Sequence, residues 1–319
     1  MKTMVYVFIF ISFLTLGCKN NRPEPLQEKA SLPAHKGEII IKGAYALTPL
    51  VQKWINEYQK IHPLVQFNIN PIGTGEVLTE IFSDKTDLVL ISSELPDKLE
   101  TTAWILPAAK LSVIMVVNKK NPYWSQILES GIKKDDLVKL FSGEITSWGD
   151  LFGEPGKHPV SVYLRSDQAG TTDILSRYLW LDDQKMIGTG INGENLLIEA
   201  IKSDPLAIGY CNFIYSFDPV SKEFLDDIRI IPLDLNQNGR LDMNENFYKN
   251  FTELQRAMWL GKYPCILNRP LQFVASQKPS TKELYDFLKW ILTDGQKSVP
   301  EMGYMELHSS ERQRCLSLE

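Results

Sequence analysis

The chain has 319 residues, of which 44% are hydrophobic and 23% are charged, and its formal net charge is -5 at pH 7. A chain of this length can bury more than one apolar core, so two packed domains are expected. The mildly acidic balance, with no basic run, argues against nucleic acid as a partner. It provides no long-range attraction for anions either, so an anion site has to be built from local groups.

The first 17 residues have the layout of a secretory signal peptide. Lys2 precedes an apolar run over residues 4–16, which is too short to span a bilayer, and Cys18 follows shortly after. The ending Leu-Gly-Cys resembles a bacterial lipoprotein signal, which implies cleavage before Cys18 and lipid on its thiol. An ordinary signal peptide with an incidental cysteine is the alternative. Residues 18–37 are polar, contain three prolines and are typical of an extended tether.

This arrangement predicts a membrane-anchored lipoprotein of the periplasm or cell envelope, since no later segment is apolar enough to cross a membrane. Three cysteines remain beyond the tether, at positions 211, 265 and 315. Their number allows at most one disulfide, and no C-x-x-C spacing suggests zinc.

Four strand-like runs each end in a polar turn that leads into a helical pattern. The turns lie at residues 43–50, 71–76, 92–94 and 165–172. In an open α/β sheet, ligands bind at the carboxyl ends of the strands, where such turns lie. Together the four turns predict an α/β protein with a binding cleft.

The turn at residues 165–172 is the most informative of the four. It reads Arg-Ser-Asp-Gln-Ala-Gly-Thr-Thr and opens a helix. A helix N-terminus attracts anions, and Arg165 adds a fork of donors suited to a tetrahedral oxyanion. Asp167 fits there if the ligand carries a proton that it can accept, or if it orients Arg165. The alternative is a capped helix with a surface ion pair.

Residues 234–245 match the calcium-loop pattern D-x-[DN]-x-[DN]-G-x₅-E at every specified position. Calcium prefers oxygen ligands and a sharp turn at the glycine, here Gly239. A strand precedes the loop, so we predict a structural calcium site and no helix–loop–helix sensor; a solvated polar turn is the alternative. The expected ligands are Asp234, Asn236, Asn238, the carbonyl of Arg240, Asp242 and Glu245.

These pieces, in this order, resemble the periplasmic phosphate-binding proteins of ABC transporters, which have the type II periplasmic-binding-protein fold. The resemblance runs from about residue 38 to the C-terminus. The matching pieces are the turn 43–50 with Trp54 and Tyr58 after it, Gly73-Thr74-Gly75, Ser92-Ser93, the run 141–148, the run 165–172, residues 188–193 and Ala207-Ile208-Gly209-Tyr210.

The resemblance implies two α/β lobes, joined by crossing strands, that clamp an anion between them. Lobe one would comprise residues 38–117 and 268–319, and lobe two residues 118–267, with the calcium-type loop inside lobe two. The protein would be a monomeric binding protein, not an enzyme, that delivers phosphate or a similar oxyanion to an ABC permease. The phosphate-binding residues it implies are Leu47, Thr48, Thr74, Ser92, Ser93, Arg165, Asp167, Gly170 and Thr171.

The chain departs from the family pattern at two places. The first turn has Ala44, Tyr45, Ala46 and Leu47 where small hydroxyl residues are usual, and Ala169 stands where serine is usual. Each lost hydrogen bond to a charged ligand removes roughly 1.5–3 kcal/mol. Another oxyanion or a small phosphorylated solute is therefore an alternative ligand.

Two further classes of function are weighed beside binding for transport. A hydrolase would need a nucleophile–base pair or a catalytic metal cluster, and the motif has no nearby histidine. A surface or sensory module stabilised by calcium would leave the cleft without a transport role.

Overall fold

Strands and helices alternate along residues 38–93, 95–167 and 169–317, which are the residues that the computed structural model describes, except for the side chains of residues 74–76, 183 and 317. The predicted signal peptide (residues 1–17), Cys18 and the tether (residues 18–37) lie outside them. The α/β class predicted from the sequence is confirmed. None of the helices in this described part has the length and apolarity needed to cross a membrane.

The strands of the described residues are β1 (Glu38–Gly43), β2 (Gln66–Pro71), β3 (Leu88–Ile91), β4 (Trp104–Asn118), β5 (Ile132–Lys133), β6 (Ser161–Arg165), β7 (Thr189–Ile191), β8 (Ala207–Asn212), β9 (Ile228–Ile230), β10 (Leu233–Asp234) and β11 (Asn268–Ala275). The α-helices are α1 (Thr48–Ile61), α2 (Thr74–Glu80), α3 (Asp97–Glu100), α4 (Trp124–Ser130), α5 (Lys134–Phe141), α6 (Trp148–Leu151), α7 (Gly170–Leu179), α8 (Glu194–Ser203), α9 (Phe251–Trp259), α10 (Lys282–Leu292) and α11 (Ser309–Ser317).

One mixed sheet runs through the molecule in the order β2-β1-β3-β11-β4-β8-β6-β7, and β9 pairs with β4. Strands β1, β2 and β3 are parallel to one another, as are β6, β7 and β8. Between these two parallel groups lie β11 and β4, which are antiparallel to each other and to their outer neighbours β3 and β8. The two central strands therefore join the two parallel halves of the sheet.

The two larger apolar cores meet along these two central strands. One core includes Leu111 of β4 and Leu271 of β11, and another includes Val113 of β4 and Leu267, which directly precedes β11. A single strand can serve both cores because its buried residues continue from one half of the sheet into the other. The sequence-based limits of the two lobes stay a prediction, although the cores change close to them.

Helix α1 follows its amphipathic pattern, because Leu50, Trp54 and Tyr58 recur at helical spacing and are buried. The indole N–H of Trp54 donates to the Gly295 carbonyl at 2.7 Å and anchors the helix. The placement of Thr48 directly before Pro49 predicts Thr48 as the N-cap of this helix, and that prediction is wrong. Leu47 is the N-cap, and the Thr48 hydroxyl donates back to the Ala44 carbonyl at 3.3 Å.

The apolar run over residues 111–118 predicts a strand, and the observed strand β4 is longer than this run. It begins at Trp104, since its first half pairs with β11. Pro107 interrupts the apolar run in the sequence, but the pairing accommodates it next to an irregularity between Leu271 and Gln272. Only the long-range partner strand decides this extension.

Candidate functional site

A cavity of about 450 Å³ opens at the carboxyl ends of the parallel strands in both halves of the sheet. Strands β1, β2, β3, β6 and β8 each end at it or one residue before it. Its lining residues are Ala44, Tyr45, Ala46, Ile72, Gly73, Ser92, Arg165, Asp167, Ala169, Gly170, Thr171, Glu194, Asn212 and Arg269. The position agrees with the edge where α/β sheets bind ligands.

Arg165 ends β6, and its side chain is only 10% exposed. Its Nε donates to Asp167 Oδ1 at 2.7 Å and its Nη2 donates to Asp167 Oδ2, which makes a two-point ion pair. Its Nη1 lies 3.5 Å from Glu194 Oε2. The backbone N–H of Arg165 donates to the Tyr210 hydroxyl at 3.0 Å. These contacts hold the guanidinium in one orientation in the cleft.

Both carboxylate oxygens of Asp167 are engaged by Arg165, and Oδ1 also accepts from the Gly193 N–H at 3.1 Å. The hydrogen bond from Arg165 lowers the pKa of Asp167. Of the two roles left open by the sequence, this geometry favours orienting Arg165 over accepting a proton from the ligand.

Replacing Asp167 with asparagine should therefore change how stability depends on pH. Because the pKa of Asp167 is lowered in the fold, its stabilising effect is present above its unfolded value of about 3.9 and is lost as the pH falls through the folded value. We expect the wild type to be the more stable protein at pH 6, with the difference shrinking below about pH 4. Urea unfolding of both proteins from pH 3 to pH 7 measures this, and a difference that stays constant with pH would contradict it.

Helix α7 presents its N-terminus to the cavity. Its N-cap residue is Ala169, whose methyl group cannot cap the first turn. The positive end of the helix is therefore free of a side-chain cap at the point where Gly170 and Thr171 line the cavity. A side chain at position 170 would displace a neighbour, since a Cβ there would lie 2.6 Å from Arg269 Nη1 and 3.1 Å from the Ser92 carbonyl oxygen.

Three further lining residues, Glu194, Asn212 and Arg269, were missed by the sequence reasoning. Glu194 Oε1 accepts from the backbone N–H of Asn212 at 2.5 Å, and its Oε2 accepts from the side-chain amide at 2.8 Å. The Asn212 Oδ1 accepts from Arg269 Nη2 at 2.5 Å. Arg269 Nη1 donates to the Ser92 carbonyl at 3.1 Å. Burial lowers the pKa of Arg269, although an arginine stays protonated in a protein.

The sequence carried weak signals for these three residues. Asn212 ends the strand-like run over residues 207–212, and Glu194 follows the glycine-rich run over residues 188–193, so both positions suit the edge of the sheet where ligands bind. Arg269 is a lone charge just before an apolar strand-like run, in β11. Only the pairing of β11 between β3 and β4 brings it to the cleft.

The other predicted site residues have mixed positions. Ser92 lines the cavity, while Ser93 is not among its lining residues. Leu47 and Thr48 are not among the lining residues either, and their contact with the ligand stays a prediction. The N–H of Leu47 donates to the Ala44 carbonyl and that of Thr48 to the Tyr45 carbonyl, both at 3.2 Å. The side chain of Thr74 lies outside the described residues.

The predicted calcium loop wraps around two buried carboxylates. Asp234 is 2% exposed and Glu245 is 5% exposed. Asp234 accepts from the backbone N–H groups of Asn238 and Gly239, and Glu245 accepts from those of Asn236 and Asp242. Gly239 has a φ of +83°, as the sharp turn requires.

The calcium loop has the oxygen-rich donor set that suits a hard cation. Neither buried carboxylate has a Lys, Arg or His nitrogen within 4.0 Å among the described residues. The same part of the chain contains no group of three or more His, Cys, Asp or Glu side chains placed to hold a metal ion. Binding would therefore require the loop carboxylates to exchange some of their backbone donors for the cation. The cysteines in this part, Cys211, Cys265 and Cys315, are free thiols.

Residues 29–294 match the model of the PBP superfamily domain. The chain belongs to the PBP superfamily. Among curated PBP relatives, it is 25% identical over 281 residues to the phosphate-binding protein PstS of Staphylococcus haemolyticus, covering 85% of this chain and 81% of the relative. It is 25% identical over 315 residues to the phosphate-binding protein PstS of Methanocaldococcus jannaschii, covering 81% and 80%.

Two solved PBP structures share the fold. One is a proposed phosphate ABC transporter substrate-binding protein with bound phosphate from Clostridium perfringens, with a TM-score of 0.67 and 17% identity over 85% of this chain and 100% of that one. The other is an ABC-type phosphate transport receptor from Vibrio cholerae, with a TM-score of 0.62 and 16% identity over 84% and 100%. The predicted periplasmic-binding-protein fold is confirmed.

Proposed function

We propose that this protein binds inorganic phosphate in the cleft between the two halves of its sheet and delivers it to an ABC permease. The observation that carries the proposal is the placement of Arg165 beside the uncapped N-terminus of α7. A fixed guanidinium and free helix amides are complementary to a tetrahedral oxyanion. The PstS relatives support phosphate as that oxyanion.

We propose that the protein binds its ligand and catalyses no reaction. The ion pair of Arg165 with Asp167 is preformed, so the ligand meets oriented donors and binding energy can favour a closed cleft.

We also propose a monomer outside the cytoplasm, tethered by lipid on Cys18, from the layout of residues 1–37.

Calorimetry with phosphate, sulfate and arsenate tests the binding proposal. We expect phosphate to bind saturably and to remain chemically unchanged. The absence of any heat with phosphate would overturn the proposal. Asp167 and Glu194 are the described carboxylates of the cleft, and either would favour a protonated oxyanion over sulfate, so weaker binding of sulfate is expected.

A small phosphorylated solute is the second candidate ligand. The cavity volume of about 450 Å³ lies within the range of about 300–1,000 Å³ usual for small-molecule sites. The Ala44, Tyr45 and Ala46 lining would suit an organic portion better than a bare oxyanion. Tighter binding of a phosphate ester than of inorganic phosphate in the same titration would favour this candidate.

We further propose that the loop over residues 234–245 binds calcium as a structural ion. Glu245→Gln is expected to abolish a calcium-dependent rise in melting temperature, because the neutral amide cannot compensate the cation. At a calcium concentration of 100 times Kd, the wild type would gain about 2.7 kcal/mol. Glu144→Gln, at an exposed carboxylate outside the loop, is the matched control. If calcium does not change the melting temperature of the wild type, the proposed calcium site is wrong.

A further inference from the structure

Arg269 is a fully enclosed cation in the wall of the cleft, with 2% of its surface exposed. Its hydrogen-bond acceptors are neutral: the carbonyl and hydroxyl of Ser92 and the side-chain oxygen of Asn212. Its Nε has no hydrogen-bond partner in the part of the chain that the structure describes. A buried guanidinium normally has all of its donors satisfied and a carboxylate beside it.

Arg269 lacks that carboxylate. Among the described residues, no carboxylate oxygen lies within 4.0 Å of its guanidinium nitrogens. Glu194 is directed to both amide groups of Asn212, and Asn212 separates it from Arg269. Arg165, in contrast, has Asp167 and Glu194 as counter-charges. Within the described residues, Arg269 is therefore the cleft cation that has no carboxylate in direct contact.

The position of Arg269 shows where a compensating anion would bind. Its Nη1 lies 2.6 Å from where a Cβ of Gly170 would stand, so the guanidinium abuts the first residue of α7. The positive end of the helix and the buried cation thus meet at the same part of the cavity wall. Two positive groups held together in a low-dielectric site stabilise an anion placed against both.

We propose that Arg269 is a ligand-binding residue of the cleft and that the bound oxyanion is the counter-ion that this buried guanidinium lacks. The inference rests on the proposed phosphate-binding function and assigns the main charge compensation to a residue outside the Arg165 turn. Arg269 also explains how the chain tolerates Ala44, Ala46 and Ala169, because a charged donor replaces the hydroxyl donors that these residues lack. Since Arg269 contacts Ser92 after β3 and Asn212 at the end of β8, the anion would join both halves of the sheet.

Three variants at position 269 test the inference by calorimetry with inorganic phosphate and by melting temperature without phosphate. We expect Arg269→Met and Arg269→Gln to weaken phosphate binding at least 100-fold. Arg269→Lys, which keeps the charge but loses the fork, should weaken it about tenfold. Without phosphate, Arg269→Met should melt at the wild-type temperature or above it, because it removes an uncompensated buried charge.

A residue that only supports the fold would show the opposite pattern, with a lower melting temperature and unchanged affinity of the folded protein. Arg229→Met, at a partly exposed arginine outside the cleft, is the matched control and should bind as the wild type does. If Arg269→Met does not fold, the Gln and Lys variants decide the question, since both can still donate to Asn212. If Arg269→Gln binds phosphate with wild-type affinity, the inference about Arg269 is overturned and the proposed function stands. A wild type that does not bind phosphate would overturn both the inference and the proposed function.

Discussion

Replacing Arg165 with methionine is expected to weaken phosphate binding by about 100- to 1,000-fold, which corresponds to about 3–4 kcal/mol. The described side chains of the cleft include two guanidiniums, Arg165 and Arg269, and two carboxylates, Asp167 and Glu194. Removing Arg165 leaves the carboxylates in excess and deprives Asp167 of its two-point partner. The remaining negative charge would repel the anion as well as fail to attract it.

Isothermal titration with phosphate at two salt concentrations measures the effect of Arg165→Met. Because the site is largely buried, the loss should persist at high salt, whereas a surface electrostatic effect would fade. Arg229→Met serves as the control for a lost positive charge outside the cleft. An Arg165→Met protein that binds phosphate within threefold of the wild type would exclude the anion site built on this turn.

Replacing Gly170 with alanine is expected to weaken phosphate binding by about 10- to 100-fold, or about 1.4–2.8 kcal/mol. The added methyl group would lie 2.6 Å from Arg269 Nη1 and 3.1 Å from the Ser92 carbonyl oxygen. One of these groups has to move, so the helix N-terminus and the Arg269 guanidinium can no longer approach each other as they do in the wild type. The melting temperature should fall as well, because the displaced guanidinium loses its buried acceptors.

Ala169→Ser is the matched comparison for Gly170→Ala, since it also adds a single heavy atom and lies one residue earlier. It places a hydroxyl at the N-cap of α7, where the cavity wall has only a methyl group. We expect a gain in phosphate affinity of several-fold, in line with about 1 kcal/mol for a hydrogen bond. A loss of affinity in both variants would mean that the cavity tolerates no added volume at this turn, and the donor argument would fail.

Local sequence patterns predicted much of this molecule. The strand–turn–helix junctions placed most of the polar turns correctly, and the Arg165 turn does open a helix that faces the cleft. The register of α1 follows from the 3.6-residue period of its buried residues, whereas β8 is a short run that is buried throughout. Local patterns failed at Thr48, because the direction in which a turn closes depends on backbone hydrogen bonds that composition does not reveal.

Long-range pairing decided the rest of the site. Arg269 and Ser92 are 177 residues apart in the chain, and Arg269 and Asn212 are 57 apart. They meet because β11 inserts antiparallel between β3 and β4. The alternating pattern of β11 predicts that a side chain is buried but not which groups surround it, because a strand can pair with any compatible edge.

The sequence by itself determined the α/β class, the turn that carries Arg165 and Asp167, and the oxygen-rich loop over residues 234–245. Each depends on residues close together in the chain, whose chemistry and spacing are visible without a fold. The tertiary structure alone decided that Asp167 is occupied by Arg165, that the N–H groups of Leu47 and Thr48 donate within their own turn, and that Arg269 lies buried in the cleft wall. Those outcomes depend on which residues, distant in the chain, lie next to one another in the fold. Inside an enclosed cleft, a charged side chain is stabilised only by the hydrogen bonds and counter-charges of such neighbours.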